Sequence, residues 1–141
     1  MKNLFTFFAV SIMFLTACAN DKVIAYDKLP KDAKQFISTY FASESVALSK
    51  MDYEGVKKNY EVVFINGGKV DFDSKGDWKD VEIATGVPAE IIPSFATNYV
   101  QAKFAGQTVV QIDRDRRYYE LKLSNGVELK FNKDGVLHDI D

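Results

Sequence analysis

The chain has 141 residues, of which 47% are hydrophobic, 27% charged and 13% aromatic, which matches one globular domain and excludes a disordered chain. The 18 Lys and Arg residues nearly balance the 20 Asp and Glu residues, which argues against a nucleic-acid-binding protein with its usual basic excess. A single Cys and a single His exclude an internal disulfide, a CxxC redox pair and any metal site built from several Cys or His side chains.

The N-terminal segment has the pattern of a bacterial lipoprotein signal peptide. Lys2 precedes an apolar run over residues 4–15, which is too short to span about 30 Å of hydrocarbon and suits a secretory signal. The Leu-Thr-Ala-Cys sequence that ends at Cys18 resembles the lipobox, in which the Cys receives a diacylglycerol and the chain is cleaved just before it. We therefore predict a signal peptide at residues 1–17, lipidation of Cys18 and a tether over residues 18–28.

This prediction implies a location and leaves two alternatives open. We expect a protein anchored by its lipid to a bacterial membrane, the outer membrane in the first place, in the periplasm or at the cell surface. An ordinary secretory signal is one alternative, because Ala17-Cys18-Ala19 also fits the small-residue cleavage rule. A retained membrane segment is the other.

The chain after the tether shows an internal repeat. Residues 29–46 align without gaps on residues 92–109. After a four-residue deletion, the Tyr-Glu-Val and Asn-Gly motifs of the first half match Tyr-Glu-Leu and Asn-Gly motifs of the second half. We interpret the pattern as a tandem duplication, with one repeat at residues 29–85 and the other at residues 86–141.

Each repeat is predicted to contain one helix followed by four antiparallel strands. Pro30 and Pro93 mark the helix starts, and Ala33, Phe36 and Ile37 begin an apolar stripe at helical spacing. The strands are predicted at about 46–53, 60–64, 69–73 and 78–83, and again at about 109–113, 118–123, 127–132 and 136–140. We therefore expect an α+β fold, a tandem repeat of a helix plus a four-stranded antiparallel sheet, in which the helices cover one sheet face.

The two Asn-Gly turns predict the strand register. A three-residue loop pairs Val62 with Val70 and Tyr60 with Phe72, which places both apolar sets on one face, whereas a two-residue loop does not. The longer loop also puts Gly67 at a left-handed position. The second repeat predicts the same arrangement at Leu121 and Leu129, Tyr119 and Phe131, and Gly126.

The repeated motifs resemble a known family. Leu/Ile-Pro, a helix, Phe-Ala-x-x-x-Val, Tyr-Glu-Val/Leu, Asn-Gly and Phe-Asp/Asn-x-x-Gly occur twice and are similar to those of the PepSY-like periplasmic lipoproteins of Bacteroidetes. The resemblance covers residues 29–141 and implies an architecture similar to the beta-lactamase inhibitor protein. It implies no catalytic residue and no cofactor, and no recognition motif supports transferring the inhibition of a beta-lactamase.

Three further motifs have structural explanations. Asp71–Gly76 with Glu82 partly matches an EF-hand loop, but Lys75 occupies a ligand position and strands flank the segment, which favours a hairpin turn and no metal site. His138 lacks a neighbouring nucleophile and is predicted to face solvent on a strand. The charged run Asp113–Arg117 is predicted to form a solvated hairpin tip.

The expected function is non-catalytic binding of an envelope protein or peptide, including an inhibitor-like role, on the sheet face away from the helices. An exposed apolar patch with an aromatic residue is typical of such a surface. The candidate binding residues are Met51, Tyr53, Val63 and Ile65, with Val56 nearby. Two alternatives remain open: the patch is buried against the second repeat, or the protein is a structural or accessory envelope lipoprotein without a dedicated pocket.

Overall fold

The computed structural model describes residues 21–141, which form one nine-stranded antiparallel sheet with its strands side by side in chain order. The strands are β1 (Lys22–Ile24), β2 (Val46–Glu54), β3 (Lys57–Phe64), β4 (Lys69–Phe72), β5 (Trp78–Glu82), β6 (Val109–Arg114), β7 (Tyr118–Leu123), β8 (Glu128–Asn132) and β9 (Leu137–Ile140). Helix α1 (Lys31–Tyr40) precedes β2, and helix α2 (Ser94–Lys103) precedes β6. Short 3-10 turns occupy Tyr26–Lys28 and Ala89–Ile91. In this part of the chain, no helix is long and apolar enough to cross a membrane.

The predicted fold class, α+β with a tandem repeat of a helix plus a four-stranded antiparallel sheet, is wrong. β5 pairs with β6, with Val81 opposite Ile112, so the strands continue as a single nine-stranded sheet. The molecule is mostly β, with only two short helices among the described residues. The physical reason is that two separate sheets would leave the N–H and C=O groups of two additional strand edges without partners. Their pairing removes both edges.

The segment predicted to be a tether contributes the first edge strand. Lys22 lies opposite Met51, and Ile24 lies opposite Ser49. Ile24 packs against the core and so ties this end of the chain to the sheet. The first strand of the sheet therefore begins four positions after Cys18 in the sequence.

The predicted hairpin registers are confirmed. Val62 lies opposite Val70 and Tyr60 opposite Phe72. In β7 and β8 the predicted pairs also form, Leu121 with Leu129 and Tyr119 with Phe131. The two turn glycines have the predicted left-handed backbone, with φ of 91° at Gly67 and 92° at Gly126.

Both helices pack against the same sheet face. The Phe36 ring of α1 lies 5.7 Å from the Phe72 ring, and the Phe95 ring of α2 lies 5.6 Å from the Phe131 ring. The largest fully buried side chains of this core are Phe64, Phe72, Phe131, Ile112, Leu121, Leu123, Leu129, Val62, Val70 and Val81. Over residues 21–141, no helix or strand lies on the opposite face, which we call the uncovered face.

Candidate functional site

The uncovered face carries a row of carboxylates. Because successive strand residues point to opposite faces, the residues that alternate with the core positions point away from the helices. Strand pairing aligns five acidic residues on five adjacent strands, in the order Glu61, Asp71, Asp80, Asp113 and Glu120. We call this set the acidic row. It is bordered by Lys50 on β2 and Lys130 on β8.

The acidic row is half-buried, and its members repel one another. Directly opposite side chains on neighbouring strands have Cβ atoms about 4.5–5.5 Å apart, where like charges are destabilising. Burial, reinforced by the charges of Glu61 and Asp80, raises the pKa of Asp71 well above its ordinary value. Burial also raises the pKa of Asp80 to about 6. At Asp113, burial and the charges of Asp80 and Glu120 raise the pKa to about 7. At the centre of the row, Asp80 and Asp113 therefore exchange their protons between about pH 6 and pH 7.

Lysines lie beside the Glu61 end of the acidic row. The Lys50 ammonium is 3.0 Å from a carboxylate oxygen of Glu61, and the Lys69 ammonium is 3.7 Å from the other oxygen. At Asp80, the Gln111 side-chain amide donates a hydrogen bond of 3.1 Å to the carboxylate and so favours its ionised form, but burial has the larger effect on the pKa. Cations thus stabilise one end of the row, whereas desolvation dominates at its centre.

The uncovered face is also recessed beside the acidic row. A groove of about 600 Å³ lies between the two Asn-Gly turns, and its lining includes Ala84, Val110, Glu82, Gln111 and Lys122. A smaller cavity of about 70 Å³ lies near the Glu61 end; it is lined by Asp21, Lys50, Asp52, Asn59, Tyr60, Glu61, Asp71, Phe72 and Lys79. The face therefore combines negative charge with shallow relief, which suits contact with a polar chain segment.

The EF-hand-like segment forms the predicted hairpin turn between β4 and β5. One carboxylate oxygen of Asp73 accepts hydrogen bonds from the backbone N–H groups of Lys75, at 2.9 Å, and Asp77, at 3.0 Å. Asp73 thus stabilises its own turn, as Asp commonly does. Across the described part of the chain, no three Asp, Glu, His or Cys side chains are arranged to hold a metal ion.

The four predicted binding residues lie on two different faces. Pairing with the core residue Tyr60 places Met51 on the face that the helices cover, and Tyr53, two residues later on β2, points the same way. Val63 lies on the uncovered face, and Ile65 follows at the end of β3 with 72% of its surface exposed. The structure therefore does not bring the four residues into one patch, and Ile65 is not buried against the second half of the chain.

The remaining candidates have separate positions. His138 is exposed as predicted, with its ring 5.1 Å from the Tyr118 ring. In the charged run, Asp115 accepts a hydrogen bond of 2.8 Å from the backbone N–H of Tyr118 and closes the β6–β7 turn. Asp113 belongs to the acidic row, which sequence reasoning missed because the row depends on the β5–β6 pairing. Cys18 lies outside the described residues.

Comparison with known proteins identifies the family. Residues 58–139 match the family described as "Putative beta-lactamase-inhibitor-like, PepSY-like". The chain belongs to this PepSY-like family. A crystal structure of a "putative calcium-regulated periplasmic protein" from Bacteroides thetaiotaomicron is 44% identical, covers 86% of this chain and 96% of its own, and superposes with a TM-score of 0.84.

Two proteins from Bacteroides vulgatus, each described as a "putative periplasmic protein", are also similar. One is 38% identical, with coverage of 89% of this chain and 99% of its own and a TM-score of 0.84. The other is 31% identical, with coverage of 86% and 98% and a TM-score of 0.82. No curated protein matches the chain. The predicted resemblance to the PepSY-like family is confirmed.

Proposed function

We propose that this PepSY-like protein is a non-catalytic binding module of the bacterial cell envelope. It accepts a positively charged segment of a protein or peptide on its uncovered face, and a lipid on Cys18 holds it at the outer membrane. The descriptions of the solved relatives as periplasmic proteins support the location, and the lipobox supports the anchor.

The acidic row carries this proposal. Its five carboxylates span four strand spacings, or about 19 Å, which matches an extended segment of about six residues. Lys or Arg side chains of such a segment can form charge-assisted hydrogen bonds with these carboxylates. Opposite charge also guides the approach of the partner and sets its position.

The proposal includes a pH dependence. A bound cation favours the ionised form of a nearby carboxylate. The protons held by Asp80 and Asp113, whose pKa values are raised to about 6 and about 7, are therefore released on binding. Affinity for a cationic segment accordingly increases as the pH rises from 5 to 8.

The names of the relatives support a binding role but do not identify the partner. The family is described as inhibitor-like, which agrees with a protein that acts through a surface. Calcium regulation is stated for the Bacteroides thetaiotaomicron relative. In residues 21–141 of this chain no three carboxylates are arranged to hold a metal ion, so we assign no calcium to the acidic row.

The test is calorimetric titration of the detergent-solubilised full protein with hexalysine, with hexaglutamate as the control peptide. We expect hexalysine to bind and hexaglutamate not to bind. The double variant Asp80→Asn with Asp113→Asn should lose at least about tenfold in affinity, which corresponds to about 1.4 kcal/mol. Asp134→Asn, which removes an exposed carboxylate in the β8–β9 turn, should bind like the wild type.

Two results would contradict the proposal. One is the absence of hexalysine binding by the wild type; the other is equal binding by the wild type and the double variant. A second experiment uses the wild type and the double variant as baits to capture partner proteins from the native envelope. Its result distinguishes a binding role from a structural role. A partner retained only by the wild type supports the binding module, whereas capture of nothing by either protein favours an accessory lipoprotein.

A further inference from the structure

The β2–β3 hairpin ends in an exposed tip, Tyr53–Lys58, that the uncovered face does not include. We propose that this hairpin tip docks on the surface of the same membrane that holds the lipid anchor. The inference rests on the lipid anchor at Cys18 proposed above. It adds a second contact with the bilayer, which fixes the orientation of the sheet.

The path of the chain brings the anchor to this end of the sheet. β1 runs antiparallel to β2, with Lys22 opposite Met51, so the chain before β1 runs toward the end of β2 that leads into the tip. The Asp21 carboxylate lies 3.5 Å from the Lys50 ammonium on β2, which shows that the chain still follows β2 at this point. Cys18 is three residues before Asp21. Because three residues span at most about 11 Å when fully extended, Cys18 can be no farther than this from Asp21.

The hairpin tip lies within the reach of the chain that leads to the anchor. Continuing the β1–β2 register places Asp21 beside Asp52, two residues before Glu54 at the end of β2. At about 3.3 Å per residue, the turn begins about 7 Å beyond Asp21, within the reach of the chain to Cys18. The hairpin also extends beyond the neighbouring strand β4. Tyr60 lies opposite Phe72, the last residue of β4, and β3 has three further residues on the tip side of Tyr60.

The side chains of the hairpin tip have the chemistry of a membrane-surface contact. Val56 is 96% exposed, more than any other exposed large hydrophobic side chain in the described part of the chain, and it lies outside the hydrophobic core. Tyr53 is 44% exposed, and the Lys58 ammonium lies 6.0 Å from its ring. Tyr and aliphatic side chains enter the boundary between headgroups and acyl chains, while Lys side chains extend to the phosphates. Glu54 accepts a hydrogen bond of 3.2 Å from Asn59, which keeps its carboxylate engaged within the hairpin.

The test measures the depth of the hairpin tip in a bilayer. The full chain is produced with its signal sequence in a bacterium, extracted with detergent and reconstituted into phosphatidylethanolamine–phosphatidylglycerol vesicles that contain a lipid-borne nitroxide quencher. Val56→Cys is labelled with an environment-sensitive fluorophore. Cys18 is the sole native Cys, and its sulfur is blocked by the lipid, so the introduced thiol alone reacts. Ile65→Cys, 72% exposed at the opposite end of β3, is the matched control.

We expect the label at position 56 to shift its emission to the blue and to lose most of its intensity to the quencher, whereas the label at position 65 keeps both. In a protein whose intact mass shows the acylated Cys18, equal quenching at both positions or quenching at neither would overturn the docking of the tip. The lipid anchor would still stand in that case. An intact mass without acyl groups would refute the anchor itself, and the docking with it. Intact mass and quenching therefore distinguish the two failures.

Discussion

Neutralising one carboxylate of the acidic row should make the protein more stable. Asp80→Asn preserves the size of the side chain and an oxygen that can accept the hydrogen bond donated by Gln111 at 3.1 Å. It removes a charge whose burial raises the pKa from 3.8 to about 6. A difference of about two pH units corresponds to about 3 kcal/mol of unfavourable free energy in the folded state at pH 8. We expect Asp80→Asn to raise the free energy of unfolding by about 1–3 kcal/mol at this pH.

The wild type should show the corresponding pH dependence. A carboxyl group with a raised pKa binds its proton more tightly in the folded state than in the unfolded state. Its stabilising contribution is complete below the ordinary pKa of 3.8, and it is lost as the pH rises through about 6 for Asp80 and about 7 for Asp113. The protein should therefore be more stable at pH 5 than at pH 8, and Asp80→Asn should reduce this difference.

Urea unfolding at pH 5 and pH 8 measures both effects. Asp134→Asn is the control, because this exposed turn carboxylate lies outside the acidic row and its removal should change stability little. A wild type that is more stable at pH 8 than at pH 5 would refute the reasoning. So would an Asp80→Asn variant that is destabilised at pH 8.

Two further predictions concern two of the turn glycines and the contact between β5, which contains Trp78, and β6, which contains Arg114. Gly135→Ala should lower the melting temperature more than Gly67→Ala. Both residues have positive φ, but a Cβ added at position 135 would lie 2.9 Å from the Phe95 side chain, whereas nothing lies within 4 Å of a Cβ added at position 67. Equal losses in thermal denaturation would contradict this prediction. Arg114→Lys should cost about 1–2 kcal/mol in urea unfolding. The planar guanidinium of Arg114 donates a 2.8 Å hydrogen bond to the Trp78 carbonyl while it stacks 3.9 Å from the Trp78 ring, and the compact Lys ammonium cannot make both contacts at once. Trp78 is the sole Trp, and unchanged stability with unchanged Trp fluorescence would speak against this role.

The local elements could be predicted from the sequence because their signals are local. Alternating apolar residues around an Asn-Gly turn allow only one register that keeps both apolar sets on one face, and the pairs Val62–Val70 and Tyr60–Phe72 follow it. The assembly of the strands could not be predicted in the same way. Alternation indicates which face of a strand is buried, but it does not indicate which strand edges meet. The β5–β6 junction and the short strand Lys22–Ile24 were therefore missed.

The candidate site was only partly predictable for the same reason. The hairpin registers already point Glu61 and Glu120 away from the helices. Their alignment with Asp80 and Asp113 requires the pairing of β5 with β6, which depends on contacts between residues about thirty positions apart. The predicted apolar patch failed to form because Met51 and Val63 lie on opposite faces of the sheet.

The centre of the acidic row, Asp71, Asp80 and Asp113, opposes folding near neutral pH, and this is a physical argument for a functional role. The core lies on the other face, between the helices and the sheet, so the fold does not require carboxylates here. Neutral polar side chains would cover the same strands without repulsion between neighbours and without the cost of burying charge. Side chains that lower stability without a structural benefit are typical of functional surfaces. A cationic segment would offset both costs, because its charges favour the ionised carboxylates that folding disfavours.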